Sequence, residues 1–159
     1  MEKTNVMRIL DQKKIEYQHY EYDNDKAYSG TEIAQMLGQD ARRVYKTLVT
    51  VAKSKKNYVF VIPVEKELDL KKAAKAVGEK SIEMLKSKEL LPLTGYVHGG
   101  CSPIGMKKVF QTVLHETAKE QEKIIFSAGK IGYQVEIAPE DLNKIIRVTY
   151  DNVIKQEEL

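Results

Sequence analysis

Two runs of β-branched and aromatic residues, Tyr45 to Ala52 and Tyr58 to Val64, flank the five-residue segment Lys53-Ser54-Lys55-Lys56-Asn57. Side chains of this kind suit a pleated, half-buried surface, and a short polar segment between two such runs lets them fold back on each other. A hairpin is expected, and the rest of the chain must cover its faces. The lysines of the connection read as a solvated loop, with contact to phosphate as the alternative.

The flanking segments supply both helices and strands. Val6, Ile9 and Leu10 mark a short amphipathic helix, and Ile15 through Tyr22 reads as extended. Ser29-Gly30-Thr31-Glu32 is a capping box, in which serine and glutamate satisfy each other's free N–H groups, opening a helix through Ile33, Ala34, Met36 and Leu37 that Gly38 closes. Asp69 caps a helix ending near Gly78, and Lys71, Lys72, Lys75 and Lys80 read as the wet face of a helix. A second short helical region is expected after Ser81. Apolar runs follow at Val109 to Leu114 and Ile124 to Ser127, then a turn at Ala128 to Gly132 and alternation at Tyr133, Val135 and Ile137. Pro139-Glu140-Asp141 opens a helix, and Ile146 to Tyr150 adds a last strand. Strands and helices are interspersed without βαβ periodicity, which predicts an α+β fold around a mixed, partly closed sheet or barrel flanked by helices.

At 159 residues, with no repeat and no linker, one domain over residues 1–159 is the simplest reading. No apolar run approaches the roughly 20 residues that span a bilayer. The first residues lack the apolar stretch of a secretory signal, and the single Cys101 can form no internal disulfide, so a cytoplasmic home is expected. The net charge of +3, from 26 basic and 23 acidic residues, favours an anionic partner only slightly.

Thr94 to Gly105, with Gly95, Gly99, Gly100, Ser102-Pro103 and Gly105 and no acidic residue, carries the strongest chemical signal. Glycine lets main-chain N–H groups approach a ligand closely, and proline fixes the neighbouring backbone, so such a loop can cradle a phosphate, a carboxylate or a developing oxyanion. A ligand-free turn is the competing reading, and Lys107 and Lys108 follow it directly. His98 and Cys101 could form a nucleophile–base pair or two metal ligands, but no third orienting group and no second Cys or His pair accompanies them. Lys46, at the start of an apolar strand, either snorkels at an edge or serves a ligand. No metal motif, nucleotide-hydrolysis loop or cofactor fingerprint is present, so no cofactor or metal is expected.

Taken in order, Val44-Tyr45-Lys46-Thr47-Leu48-Val49, Leu68 to Lys75, Gly95 with Gly99-Gly100-Cys101-Ser102-Pro103-Ile104-Gly105-Met106-Lys107-Lys108, Ser127-Ala128-Gly129-Lys130 and Ala138 to Leu142 resemble the YbaK family. These are free-standing aminoacyl-tRNA deacylases similar to the editing domain of bacterial prolyl-tRNA synthetases. The likeness covers nearly the whole chain.

The resemblance implies a trans-acting hydrolase that cleaves the ester of a mischarged aminoacyl-tRNA, typically cysteine on the proline tRNA, with the tRNA acceptor end as partner and a complex with prolyl-tRNA synthetase in prospect. A synthetase pocket separates side chains of similar size by only about 1–3 kcal/mol, so a second sieve is needed. By the same resemblance, Lys46 holds the aminoacyl-tRNA end with help from Thr47. Gly99, Gly100, Cys101, Ser102 and Pro103 hold the carbonyl and terminal ribose, with Gly100 nearest the scissile ester, and Tyr20 and Tyr28 wall the substrate. The substrate's own thiol is expected to attack the ester and leave as a cyclic thioester, which also gives the enzyme a lyase-like first step. Gln134 departs from the family, which commonly has an aspartate there; Glu136, two residues on, shares its face of the strand. That change bears on amino-acid specificity. A deacylase for another small residue, such as alanine on the same tRNA, and a non-catalytic tRNA- or nucleotide-binding module are the alternatives.

Overall fold

The two apolar runs form the expected hairpin, β2 (Tyr45–Ala52) and β3 (Asn57–Pro63), paired antiparallel with Lys46 opposite Ile62 and Thr50 opposite Tyr58. The computed structural model describes residues 2–156. β3 lies at the centre of a five-stranded sheet, in the order β4 (Ile82–Met84), β2, β3, β5 (Gln111–His115), β8 (Val148–Asp151). Its partner β5 runs parallel to it, as β8 does to β5, so the sheet is mixed. A three-stranded antiparallel sheet places β7 (Tyr133–Ile137) between β1 (Gln18–Glu21) and β6 (Ile124–Ser127). A single parallel bridge, Val44 to Ile125, joins the two sheets beside the start of β2, and the barrel-like wrap stays only partly closed.

The largest core lies between the sheets, where Val59, Val61 and Leu114 meet Ile124, Phe126, Val135 and Ile137. Helix α1 (Asn5–Gln12) inserts Val6, Met7 and Leu10 into it. On the other face of the five-stranded sheet, Phe60, Ile62 and Val113 pack with Ala73 and Ala74 of α3 (Leu70–Val77), whose N-terminus Asp69 caps with two hydrogen bonds of 3.0 Å. Both faces of β3 are therefore covered, which is why its sequence is an almost unbroken apolar run. A third cluster sets Ala34 of α2 (Gly30–Met36) against Val44, Val64 and Ile125. The capping box is present in full: Ser29 Oγ accepts from Glu32 N and Glu32 Oε1 accepts from Ser29 N.

Two expectations change. The region after Ser81 is strand before it is helix: Ile82–Met84 pairs with Thr50–Ala52 as β4, and helix α4 (Ser87–Thr94) begins only at Ser87. The edge of β2 captures a segment too short to declare itself. Val109 also stands outside its predicted run, almost fully exposed, because β5 begins at Gln111. The last helix, α5 (Pro139–Leu142), is a single turn with Pro139 in its first turn.

Candidate functional site

Hydrogen-bond parity along β2 produces an opening in the sheet. The even-numbered residues turn their main-chain groups toward β3: Val44 O accepts from Val64 N, and Ala52 N donates to Lys56 O. The odd-numbered ones face the other edge, where Val49 O accepts from Leu85 N. On that edge the Val44–Ile125 bridge lies at one end and Leu85 with β4 at the other. Thr47, which faces Val61 of β3 on its inner side, lies between them, and among the described residues no strand pairs with it on this edge. A cleft of about 320 Å³ opens at this gap.

Lys46, Thr47, Tyr28, Gly99, Cys101 and Gln134 all line the cleft. The Lys46 ammonium makes no ion pair among the described residues. Burial lowers its pKa from the ordinary lysine value, opposed by Glu67, whose carboxylate is itself held by Lys155 at 3.1 Å. Thr47 Oγ1 is sealed from solvent without a hydrogen-bond partner. The glycine loop reaches the cleft through His98, Gly99 and Cys101. Gly99 has φ +88, a backbone conformation that favours glycine.

Gly100 behaves differently from its neighbours. Its N–H closes a turn onto Val97 O at 3.0 Å, and a Cβ there would lie 3.1 Å from Ile131 N. Gly100 is thus the point where the loop packs against the Lys130–Ile131 backbone, and it holds Gly99 and Cys101 in place rather than lining the cleft. Ser102 is buried beside it, its Oγ accepting from Ile104 N, and Pro103 follows away from the opening. Burial pushes the Cys101 thiol up to about 12, so it stays protonated at neutral pH and is a poor nucleophile.

Tyr20 and Glu136 are drawn into an internal latch instead of the cleft wall. Tyr20 OH donates to Glu136 Oε1 at 3.0 Å, and Arg43 Nη2 forms an ion pair with Glu136 Oε2. Glu136 is only 8% exposed, and Arg43 also donates to Lys123 O. Tyr28 OH, by contrast, donates to Asp25 at 2.8 Å on the outer rim. Sequence reasoning missed the apolar walls from Ile33, Val64, Leu85 and Leu90 and the polar contribution of Ser127 and Gln39. The capping box announces α2 without saying which side of it faces the cleft, and Gln39 has no local signal at all.

The geometry can be set beside known proteins. Residues 25–145 match the family of the aminoacyl-tRNA editing domain. The chain is 46% identical over 157 residues, 98% of itself and 96% of the relative, to EbsC of Enterococcus faecalis, a protein provisionally named a Cys-tRNA(Pro)/Cys-tRNA(Cys) deacylase. It is 29% identical over 109 residues to a proline–tRNA ligase of Shouchella clausii, covering 68% of this chain and 19% of the ligase. A provisionally assigned trans-editing enzyme for prolyl tRNA synthetase shares its fold at TM-score 0.82 and 20% identity, covering 98% of this chain and 100% of that one. With the family matched over most of its length and a near-full-length relative at this identity, the chain belongs to the aminoacyl-tRNA editing domain family.

Proposed function

We propose that this protein is an aminoacyl-tRNA deacylase acting on cysteine mischarged to the proline tRNA. The observation that carries the reading is a cleft lined by a lysine with no ion pair among the described residues, a free strand edge and a glycine loop, with its thiol held protonated. Such a site has groups to hold a substrate and lacks an activated nucleophile of its own. The near-full-length identity to a protein named for the same reaction supports it.

Lys46 holds the phosphate or terminal ribose of the acceptor end, since a partly desolvated ammonium gains most from an anion brought to it. The N–H groups of Gly99 and Cys101, which donate to no other described residue, face the oxygen of the scissile ester and stabilise the negative charge that develops there. The substrate's sulfur attacks its own ester carbon, the bond to the ribose oxygen breaks, and that oxygen takes up a proton. Water then opens the cyclic thioester to free cysteine. The protein contributes orientation and charge stabilisation.

The test is release of labelled cysteine from cysteinyl-tRNA(Pro) at sub-stoichiometric protein, with alanyl-tRNA(Pro) and prolyl-tRNA(Pro) alongside. Cysteine release that is lost in Lys46→Ala and kept in Cys101→Ala is the expected result. Faster release of alanine would move the substrate to that residue, and intact tRNA in every case would make the protein a binding module.

A further inference from the structure

The amide of Gln134 stands where β7 meets the cleft, 6% exposed and with its Cα paired to Tyr20 on one side and Ser127 on the other. Its carbonyl is taken: Gln39 Nε2 donates to Gln134 Oε1 at 2.8 Å. The main-chain N–H of Gln39 donates to Ala34 O at 2.8 Å in the turn that ends α2, which places the residue, and its sealed Oε1 has no partner; reversing both amides would orphan a buried NH2 donor there instead, the rarer and costlier case. The neighbours on the same face are also committed, Tyr20 OH to Glu136 and Ser127 Oγ to the N–H of Gly129. The Gln134 NH2 group donates to none of the described residues. The described polar side-chain atoms sealed from solvent without a partner are Gln39 Oε1 and Thr47 Oγ1, so the Gln134 NH2 is not walled in. The space it opens onto is the cleft.

We propose that Gln39 is a positioning residue that fixes the Gln134 amide with its NH2 toward the substrate, making this wall of the cleft a hydrogen-bond donor. The inference rests on the deacylase reading for its substrate and on the Gln39–Gln134 contact for its geometry. A donor cannot receive the α-ammonium of an aminoacyl group, which is itself donor-only, so the ammonium turns away from β7. A donor does receive a side-chain sulfur or hydroxyl oxygen. The site therefore ranks a thiol- or hydroxyl-bearing aminoacyl group above one ending in a methyl, because a polar group left unpaired in a tight pocket is costly.

Two substitutions separate positioning from mere packing. In Gln39→Glu the carboxylate only accepts, so Gln134 must donate its NH2 to residue 39 and turn its carbonyl into the cleft; in Gln39→Leu no orientation is imposed. The ratio of cysteine to alanine release from the two mischarged tRNAs is expected to fall about tenfold or more in Gln39→Glu and by clearly less in Gln39→Leu. Independently of turnover, the side-chain NH2 resonances of Gln134 should shift when the non-hydrolysable amide 3′-cysteinylamino-3′-deoxyadenosine is added to the wild type. They should be protected from exchange and insensitive to it in Gln39→Glu. Equal ratios in the two variants, or Gln134 resonances unmoved by the analogue in the wild type, overturn the proposal. Should Gln39→Leu give a poorly dispersed spectrum, Gln39→Met takes its place under the same criteria. Wild-type inactivity on both tRNAs would defeat the deacylase reading, while exchange protection in Gln39→Glu but not in the wild type would still report the amide's orientation.

Discussion

β3 and β7 are the central strands of the two sheets, and they are filled in opposite ways. From Val59 to Ile62, β3 is wholly apolar and wholly buried, one face in the core between the sheets and the other against α3. β7 turns Val135 and Ile137 into the core between the sheets and carries Gln134 and Glu136 on its other face, buried almost as deeply. Burial of β3 needs nothing but neighbours of the right shape. Burial of β7 needs specific partners, and they come from far along the chain: Gln39, Arg43 and Tyr20. One strand is filled for stability, the other accepts polar groups that would be costly if orphaned, and the cleft opens between the polar face of β7 and the free edge of β2.

The comparison breaks first if β3 tolerates truncation. Phe60→Ala should cost about 3–5 kcal/mol, read as a lowered urea midpoint at unchanged m-value, since its cavity is walled by two packed elements. A loss well under that range would mean the sheet collapses around the gap. Arg43→Met probes the other kind of filling. It leaves the buried Glu136 carboxylate with only the Tyr20 hydroxyl, and is expected to destabilise by about 2–3 kcal/mol, whereas the same change at the exposed Arg42, paired with Asp40, should fall within about 0.5 kcal/mol.

The smallest stability effect has the opposite sign. Lys46→Met removes a partly buried cation that makes no ion pair among the described residues and feels only the more distant Glu67, and should stabilise the protein by about 0.5–1 kcal/mol at neutral pH while abolishing deacylation. Because the folded state holds the Lys46 proton less tightly than the unfolded chain, the cost of the charge is complete at neutral pH. It fades as pH rises toward the ordinary lysine value of 10.5, and the advantage of the methionine should shrink over that approach in denaturation curves. A constant advantage would mean that packing, not charge, is responsible.

What the sequence made legible was local. The hairpin, the capping box at Ser29 and the Asp69 cap depend on residues within a few positions of one another, and all three stand where they were read. β4 was not legible, because Ile82–Met84 is a strand only through the edge of β2. In the site, Lys46, Thr47, Gly99 and Cys101 could be placed from the resemblance, and the structure brings them together. The internal duty of Gly100, the withdrawal of Tyr20 and Glu136 into a latch and the pairing of Gln39 with Gln134 join residues as many as 116 positions apart, and no local pattern encodes such contacts.

Helix α1 belongs to the same core as Leu142 and Val148, and a Cβ on Gly129 would meet Val6 Cγ2 at 3.0 Å. On the ribosome, Val6, Met7 and Leu10 emerge long before the residues that bury them. At about 5–20 residues per second, the nascent chain carries an uncovered apolar helix for several seconds or more, while the hairpin next in line can already pair. Translation speed across the second half of the message thus sets how long that helix is open to chaperones, and to other nascent chains.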